Sequence, residues 1–276
     1  MTTTDLTGSR TSVAVPATIS PSTSHTTLRH IRVLAKRSLI KMARTPEALI
    51  DVTLQPVIFL GMFTYIFGGA IAGGSQQAYL QFLLPGLFGQ TIAMASVALG
   101  QNLNSDIEKG IFDRFRSLPI ARSAPLVGAV ASDIVRYLIL FVVMMTTGLL
   151  MGFNVTGGWV ATFGALVLSM AFALCFGWIS VFVGMKVRTP GAVQGIMFLI
   201  VLPLSFGSNT FVPVATMPDW LQSFVKVNPI SHLVGAVRGL MLGGPVQTDL
   251  IWTLGWMVVL LAVFFPLALR AYRKRT

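Results

Sequence analysis

One cysteine, three histidines and nine acidic residues are the whole stock of such reactive side chains in this 276-residue sequence. The cysteine, Cys175, lies inside an apolar run, which excludes an intramolecular disulfide and a thiolate-based metal framework. His25, His30 and His232 are scattered, so no metal site is expected from their spacing. No GxxxxGK(S/T) phosphate loop occurs, and the chain is therefore not expected to bind and hydrolyse ATP by itself. No serine, histidine and acid group into a hydrolytic set, and no catalytic residue is assigned. Charged residues make up only 11% of the chain, against roughly a quarter in an ordinary soluble domain.

Hydrocarbon fills the space instead. Apolar residues reach 54%, mostly in runs long enough to cross ~30 Å of lipid as helices. A soluble protein would interrupt such runs with periodic polar positions. Six spans are expected, at about 48–69, 79–102, 125–152, 159–185, 191–212 and 250–270, in an all-α membrane fold. The net charge of +11 does not point to nucleic acid, because the basic residues sit between spans and at the ends rather than in one patch. The gaps 70–78 and 153–158 hold no Lys or Arg, whereas 103–124 holds Lys109, Arg114, Arg116 and Arg122. Lys186 and Arg188 follow the fourth span, and the tail ends in Arg270, Arg273, Lys274 and Arg275. This alternation predicts a multi-pass protein of the cytoplasmic (plasma) membrane with both termini in the cytoplasm.

The flanks read differently. Residues 1–27 are rich in Thr and Ser with no apolar block, and disorder is expected there. From Leu28 to Arg44, Leu28, Ile31, Ala35, Leu39 and Met42 form one stripe while Arg29, Arg32, Lys36, Arg37, Lys41 and Arg44 cover the other faces. That pattern suits an amphipathic helix in the headgroup plane at 28–46, the alternative being a basic helix packed on its own protein. Between the fifth and sixth spans, residues 213–249 are too long for a turn. They carry two apolar helical patterns, Trp220–Val227 and Ile230–Met241, parted by Pro229 and stopped by Gly243-Gly244-Pro245. A helical hairpin at 213–245, dipping into the membrane from outside, is expected.

Ionisable residues in or beside spans are costly and therefore informative. Glu47, Asp51 and Gln55 share a face at the start of the first span, and Asp133 and Arg136 are spaced as a local pair. Both sets suit helix-end or inter-helix contacts as well as substrate contact. At 105–119, Ile107, Ile111, Phe115 and Leu118 recur at helical spacing among charges of both signs, and Pro119 ends the pattern. Mixed charge favours docking on a soluble partner over a connector lying on lipid.

The strings FDRFRSLPIAR at 112–122, YLQFLLPG at 79–86 and MPDWLQSFVKVNPISHLVGAVRGLMLGG at 217–244 carry a resemblance. From about residue 30 to the C-terminus the chain resembles the permease subunits of ABC-2 type exporters, most of all the daunorubicin-resistance subgroup. The resemblance implies an ATP-driven exporter of a hydrophobic drug, antibiotic or lipid-like compound. It implies two copies of a separate ATPase that holds ATP and Mg, and a second permease that is a copy or a close relative. It also implies that 105–119 is the coupling helix, with Phe112, Asp113, Arg114, Phe115, Arg116, Leu118 and Pro119 on the ATPase, and that 28–46 is the connecting helix. Asp51, Gln55, Phe59, Phe63, Gln90, Met94 and Phe198 would line the route. Trp220, Pro229, His232 and Arg238 would belong to an extracellular gate. The competing readings are a stand-alone secondary transporter or channel, which would show coupling-ion acids or paired broken helices in two related halves, and a lipid-acting enzyme. Neither signature is present.

Overall fold

Lipid leaves a long apolar run one local solution, since a helix bonds nearly all its backbone groups within its own segment. The computed structural model describes residues 46–71, 75–109 and 124–275, with side chains for all but 46–53, 124–132 and 272–275. The tail at 1–27, the helix expected at 28–46 apart from Pro46, and the coupling segment beyond Lys109 lie outside these residues. Among the described residues every regular element is helical. In chain order they are α1 (Pro46–Met62), α2 (Gln76–Ala95), α3 (Val97–Glu108), α4 (Ala124–Leu150), α5 (Trp159–Lys186), α6 (Pro190–Phe206), α7 (Asp219–Val225), α8 (Pro229–Leu242) and α9 (Gln247–Arg275). A π-helical turn, Phe63–Phe67, and a last turn, Gly68–Ile71, prolong α1.

Five stretches are long and apolar enough to cross a membrane: Leu54–Ile71, Gln76–Glu108, Asp133–Leu150, Trp159–Lys186 and Gln247–Ala271. The second comprises α2 and α3, parted at Ser96, whose hydroxyl donates to Ala93 O at 2.6 Å. The fifth expected span differs from its reading. Helix α6 stops at Phe206 and has 17 residues, or about 25 Å at 1.5 Å per residue. Residues 207–212 do not continue it, because side chains take over the bonding there. Ser208 Oγ donates to Ser205 O at 2.6 Å, and Asn228 Nδ2 donates to Leu204 O at 2.6 Å and Gly207 O at 2.7 Å. The chain beyond packs as a strap, with Phe211 stacked on Phe63 and Phe206 and its carbonyl accepting from Tyr79 Oη at 3.0 Å.

Two helices do form on either side of Pro229, yet they are unalike. In α7 only Val225 is buried, whereas α8 buries ten of its 14 residues. It packs against α2, α5 and α9, so the second half of the expected hairpin is a core element. Its ends explain why such a short helix is stable inside apolar surroundings. At the start, Asn228 Oδ1 accepts from Ile230 N at 2.9 Å and Pro229 occupies the first turn, where no N–H is needed. At the finish Gly243 adopts φ 76°, and the loop after α4 supplies donors: Thr156 Oγ1 to Leu242 O at 2.7 Å and Gly157 N to Met241 O at 2.9 Å.

The buried side chains form two clusters. The larger joins α2, α4, α5 and α8, with Leu83, Phe88, Leu140, Phe172, Leu233 and Val237 among its members. The smaller lies at the end bearing Lys109 and Lys186, hereafter the basic end, and consists of Leu99, Leu103, Val181, Met185, Ala268 and Ala271. There α3 crosses α5 at backbone distance. A Cβ on Gly100 would collide with Ser180 O, and one on Gly184 would lie 2.7 Å from Gly100 O. Hydrogen bonds fasten the crossing: Ser180 Oγ to Val97 O at 2.7 Å, Gly100 N to Ser180 Oγ at 3.1 Å, and Asn104 Nδ2 to Gly184 O at 2.7 Å. Small residues that admit such approach, with polar groups as fasteners, are the usual means of helix association in lipid. Gly100→Ala should therefore lower the melting temperature of the detergent-solubilised chain, at a cost of about 1–3 kcal/mol for overpacking. Gly164→Ala, with nothing within 4 Å of the added methyl, should leave it unchanged or raise it slightly.

Candidate functional site

The expected route residues divide between an open wall and a closed interior. On α1, Gln55 is exposed, and Phe59 and Phe63 are half-buried and stacked with centroids 5.9 Å apart. The row continues through Phe63–Phe211 at 4.8 Å and Phe211–Phe206 at 5.4 Å, so aromatic rings run from α1 across the strap to the end of α6. Asp51 lies on α1 as well, with its side chain outside those described. Phe198 stands apart on the open flank of α6, 55% exposed. Gln90 and Met94 sit one turn apart on α2, joined by a long Nε2–Sδ contact of 3.9 Å. Gln90 is buried, because α1, α4, α5 and α8 surround α2, and its Oε1 has no partner in this arrangement.

Beside the row, the π-helical turn in α1 buries Thr64, whose hydroxyl is also unpartnered. Such turns inside α-helices recur at functional positions. At the end of the bundle away from the basic residues, a cleft of about 520 Å³ is lined by Ser75, Gln77, Ala78, Gln81, Asn154, Thr156 and Leu242. Among the described residues, no three His, Cys, Asp or Glu side chains gather as a metal site. The expected docking residues Phe112, Asp113, Arg114, Phe115, Arg116, Leu118 and Pro119 lie outside the described residues.

The expected gate residues are held by protein groups. His232 places Nδ1 2.9 Å from Asp249 Oδ1 and Nε2 2.9 Å from Lys226 O, and its ring stacks on Trp252 with centroids 5.2 Å apart. Asp249 comes this close because Gly235 has no side chain; a Cβ there would overlap the carboxylate. Arg238 sits over the Phe82 ring, its guanidinium carbon 3.8 Å from the centroid. It donates from Nε to Phe82 O at 3.1 Å and from Nη2 to Asn209 O at 2.9 Å, joining α8 to α2 and the strap. Gly86 leaves room for it, since a Cβ there would lie 2.9 Å from Nη2. Pro229 is buried, whereas Trp220 is 73% exposed on α7.

Three residues of this region were not singled out by sequence reasoning. Asn228 caps α8 and closes α6, Asp249 fixes His232, and Trp252 supports the ring. For Asn228 a signal was available: an amide in an apolar segment beside a proline has to find partners. Replacing Asn228 with Ala removes a cap worth about 1 kcal/mol and strands two carbonyls, costing roughly 1–3 kcal/mol more. Amide exchange in α8 and the last turn of α6 should accelerate together, and faster exchange in α8 alone would show that the two ends are not joined.

With this geometry in view, the comparisons with known proteins are specific. The sequence profile described as ABC-2 type transporter matches residues 29–242. The daunorubicin resistance ABC transporter permease protein DrrB1 of Streptomyces coeruleorubidus is 41% identical over 243 residues, covering 87% of this chain and 84% of the relative. The probable doxorubicin resistance ABC transporter permease protein DrrC of Mycobacterium tuberculosis (strain CDC 1551 / Oshkosh) is 25% identical over 248 residues, 86% of each chain. The putative transport permease ycf38 of Cyanophora paradoxa is 27% identical over 224 residues, 78% of this chain and 75% of the relative. With that match and its several membrane-length apolar helices, this multi-pass membrane protein belongs to the ABC-2 type transporter family.

Proposed function

We propose that this chain is the permease subunit of an ATP-driven exporter that moves a hydrophobic drug, antibiotic or lipid-like compound out across the plasma membrane. The observation that carries this reading is 41% identity, over 87% of the chain, to a permease named for daunorubicin resistance. Relatives named for doxorubicin resistance point the same way. The aromatic row of Phe59, Phe63, Phe211 and Phe206 supports an apolar, ring-bearing cargo, because stacked faces accept flat apolar molecules without fixed hydrogen bonds.

In this reading ATP and Mg sit on a separate ATPase, present in two copies, and a second permease copy or close relative completes the membrane part. The chain crosses six times, by the five long stretches and by α6, with both termini cytoplasmic. The segment 105–119 rests on the ATPase through Phe112, Asp113, Arg114, Phe115, Arg116, Leu118 and Pro119, and 28–46 approaches it as the connecting helix. Asp51, Gln55, Phe59, Phe63, Gln90, Met94 and Phe198 face the route in one or another state. Trp220, Pro229, His232 and Arg238 belong to the outer gate, where His232 and Arg238 act by holding α8 in place rather than by touching cargo. ATP drives the cycle only if it binds one arrangement of the complex more tightly than the other.

Co-purification with a candidate ATPase of the same family of exporters tests the reading. Phe115→Ala combined with Arg116→Ala should abolish the complex and ATP-dependent daunorubicin transport while the permease stays folded. A permease that binds no ATPase yet moves daunorubicin into liposomes without ATP would establish a stand-alone transporter instead.

A further inference from the structure

The break between α2 and α3 falls at the boundary of the two buried clusters. Ala93 and the residues before it belong to the larger one, and Leu99 and Leu103 belong to the smaller. Helix α2 is gripped by α8, α5, α4 and α1, whereas α3 is fastened to α5 by hydrogen bonds and packed against α6. One long stretch thus changes neighbours along its length, with α5 beside both halves and Ser96 at the joint.

A side chain from a third helix spans that joint. Arg136 of α4 donates from Nη2 to Ala95 O at 2.6 Å and from Nη2 to Asp133 Oδ1 at 2.9 Å. Both side chains are sheltered, at 15% and 5% exposure. The guanidinium still has capacity, because its Nε is buried without an acceptor. A buried donor left open in one arrangement calls for a physical reason, and a second position of the neighbouring carbonyls supplies one.

The lever geometry gives this contact its meaning. Twelve residues separate Ser96 from Glu108 at the end of α3, and twelve separate Ala124 at the start of α4 from Arg136. Each arm is therefore about 18 Å long at 1.5 Å per residue. Both arms lead in sequence to the segment that the proposed function assigns to the ATPase, which begins nine residues after Ser96 and ends 17 before Arg136, and Arg136 ties them together.

We propose that Arg136 is a positioning residue that converts displacement of the docking segment into a change of bend at Ser96, through its hold on the Ala95 carbonyl. Asp133 keeps the guanidinium aimed at the joint. The inference rests on the exporter reading for what moves the arms, and on the structure for where the motion is received.

The test uses the full permease–ATPase complex in liposomes, with daunorubicin as the transported probe. In Arg136→Gln the complex should assemble and hydrolyse ATP, while daunorubicin moved per ATP falls about tenfold, the scale expected when a coupling contact is cut. Arg136→Lys should restore part of that ratio. A folded Arg136→Gln complex whose ratio stays within twofold of wild type overturns the proposal and leaves Arg136 a static staple. The second measurement needs no Arg136 variant: spin labels at Gln76→Cys and Glu108→Cys, the two ends of the α2–α3 stretch, report the angle at the joint with and without ATP. The distance between them should shift beyond the width of its distribution, and an unchanged distance overturns the proposal. A wild-type complex that changes its bend with ATP but moves no daunorubicin would count against the cargo assignment alone. A chain that binds no ATPase would remove the exporter reading and this inference with it.

Discussion

Water is absent from the hydrocarbon, so a backbone carbonyl that loses its helical partner has to find another donor within the protein. Among the described residues, helical continuity breaks at three buried places where a side chain or loop supplies the donor. Arg136 serves Ala95 at the α2–α3 joint, Asn228 serves Leu204 and Gly207 where α6 stops, and Thr156 with Gly157 serves the end of α8. Arg238 adds donors to the Phe82 carbonyl of α2 and the Asn209 carbonyl of the strap. The few polar side chains in the apolar interior are thus spent mainly on backbone, and the irregular segments exist only where those donors reach.

Close packing follows from the same scarcity. Lipid tails are as apolar as leucine, so burying leucine against a neighbouring helix gains little over leaving it in the bilayer. Helices gain more by approaching until backbones touch, which Gly100 and Gly184 permit, and by exchanging hydrogen bonds there through Ser180 and Asn104. Elsewhere the outward flank of α9, with Ile251, Leu254, Val258 and Leu261 exposed, needs only to be apolar.

Length and hydropathy made the spans of α1 through α5 and α9 legible, and i, i+3 spacing made the Asp133–Arg136 pair legible. The early end of α6 was hidden because its cause lies 24 residues away, in the Asn228 amide. The unequal fates of α7 and α8 were hidden because both carry the same apolar periodicity; which one is covered depends on neighbours that periodicity does not encode. Of the expected route residues, Phe59 and Phe63 come together, while Gln90 is enclosed and Phe198 stands on another helix. A stripe on one helix can be read from spacing, whereas a surface assembled from several helices depends on how they are arranged in space.

The span between partners also sets an order for biogenesis. Phe82 and Arg238 are 156 residues apart, so at about 5–20 residues per second the carbonyl is made roughly 8–30 s before its guanidinium. The same holds, over 86 residues, for Thr156 and the end of α8. Helix α2 therefore enters the bilayer long before the element that completes its surroundings, and α8 arrives late, ahead only of α9 among the described helices, into a slot already walled by α2 and α5. A nascent chain halted before residue 229 would present that slot unfilled, with Gly86 and Gly89 facing lipid or a membrane chaperone in place of Arg238 and Val234.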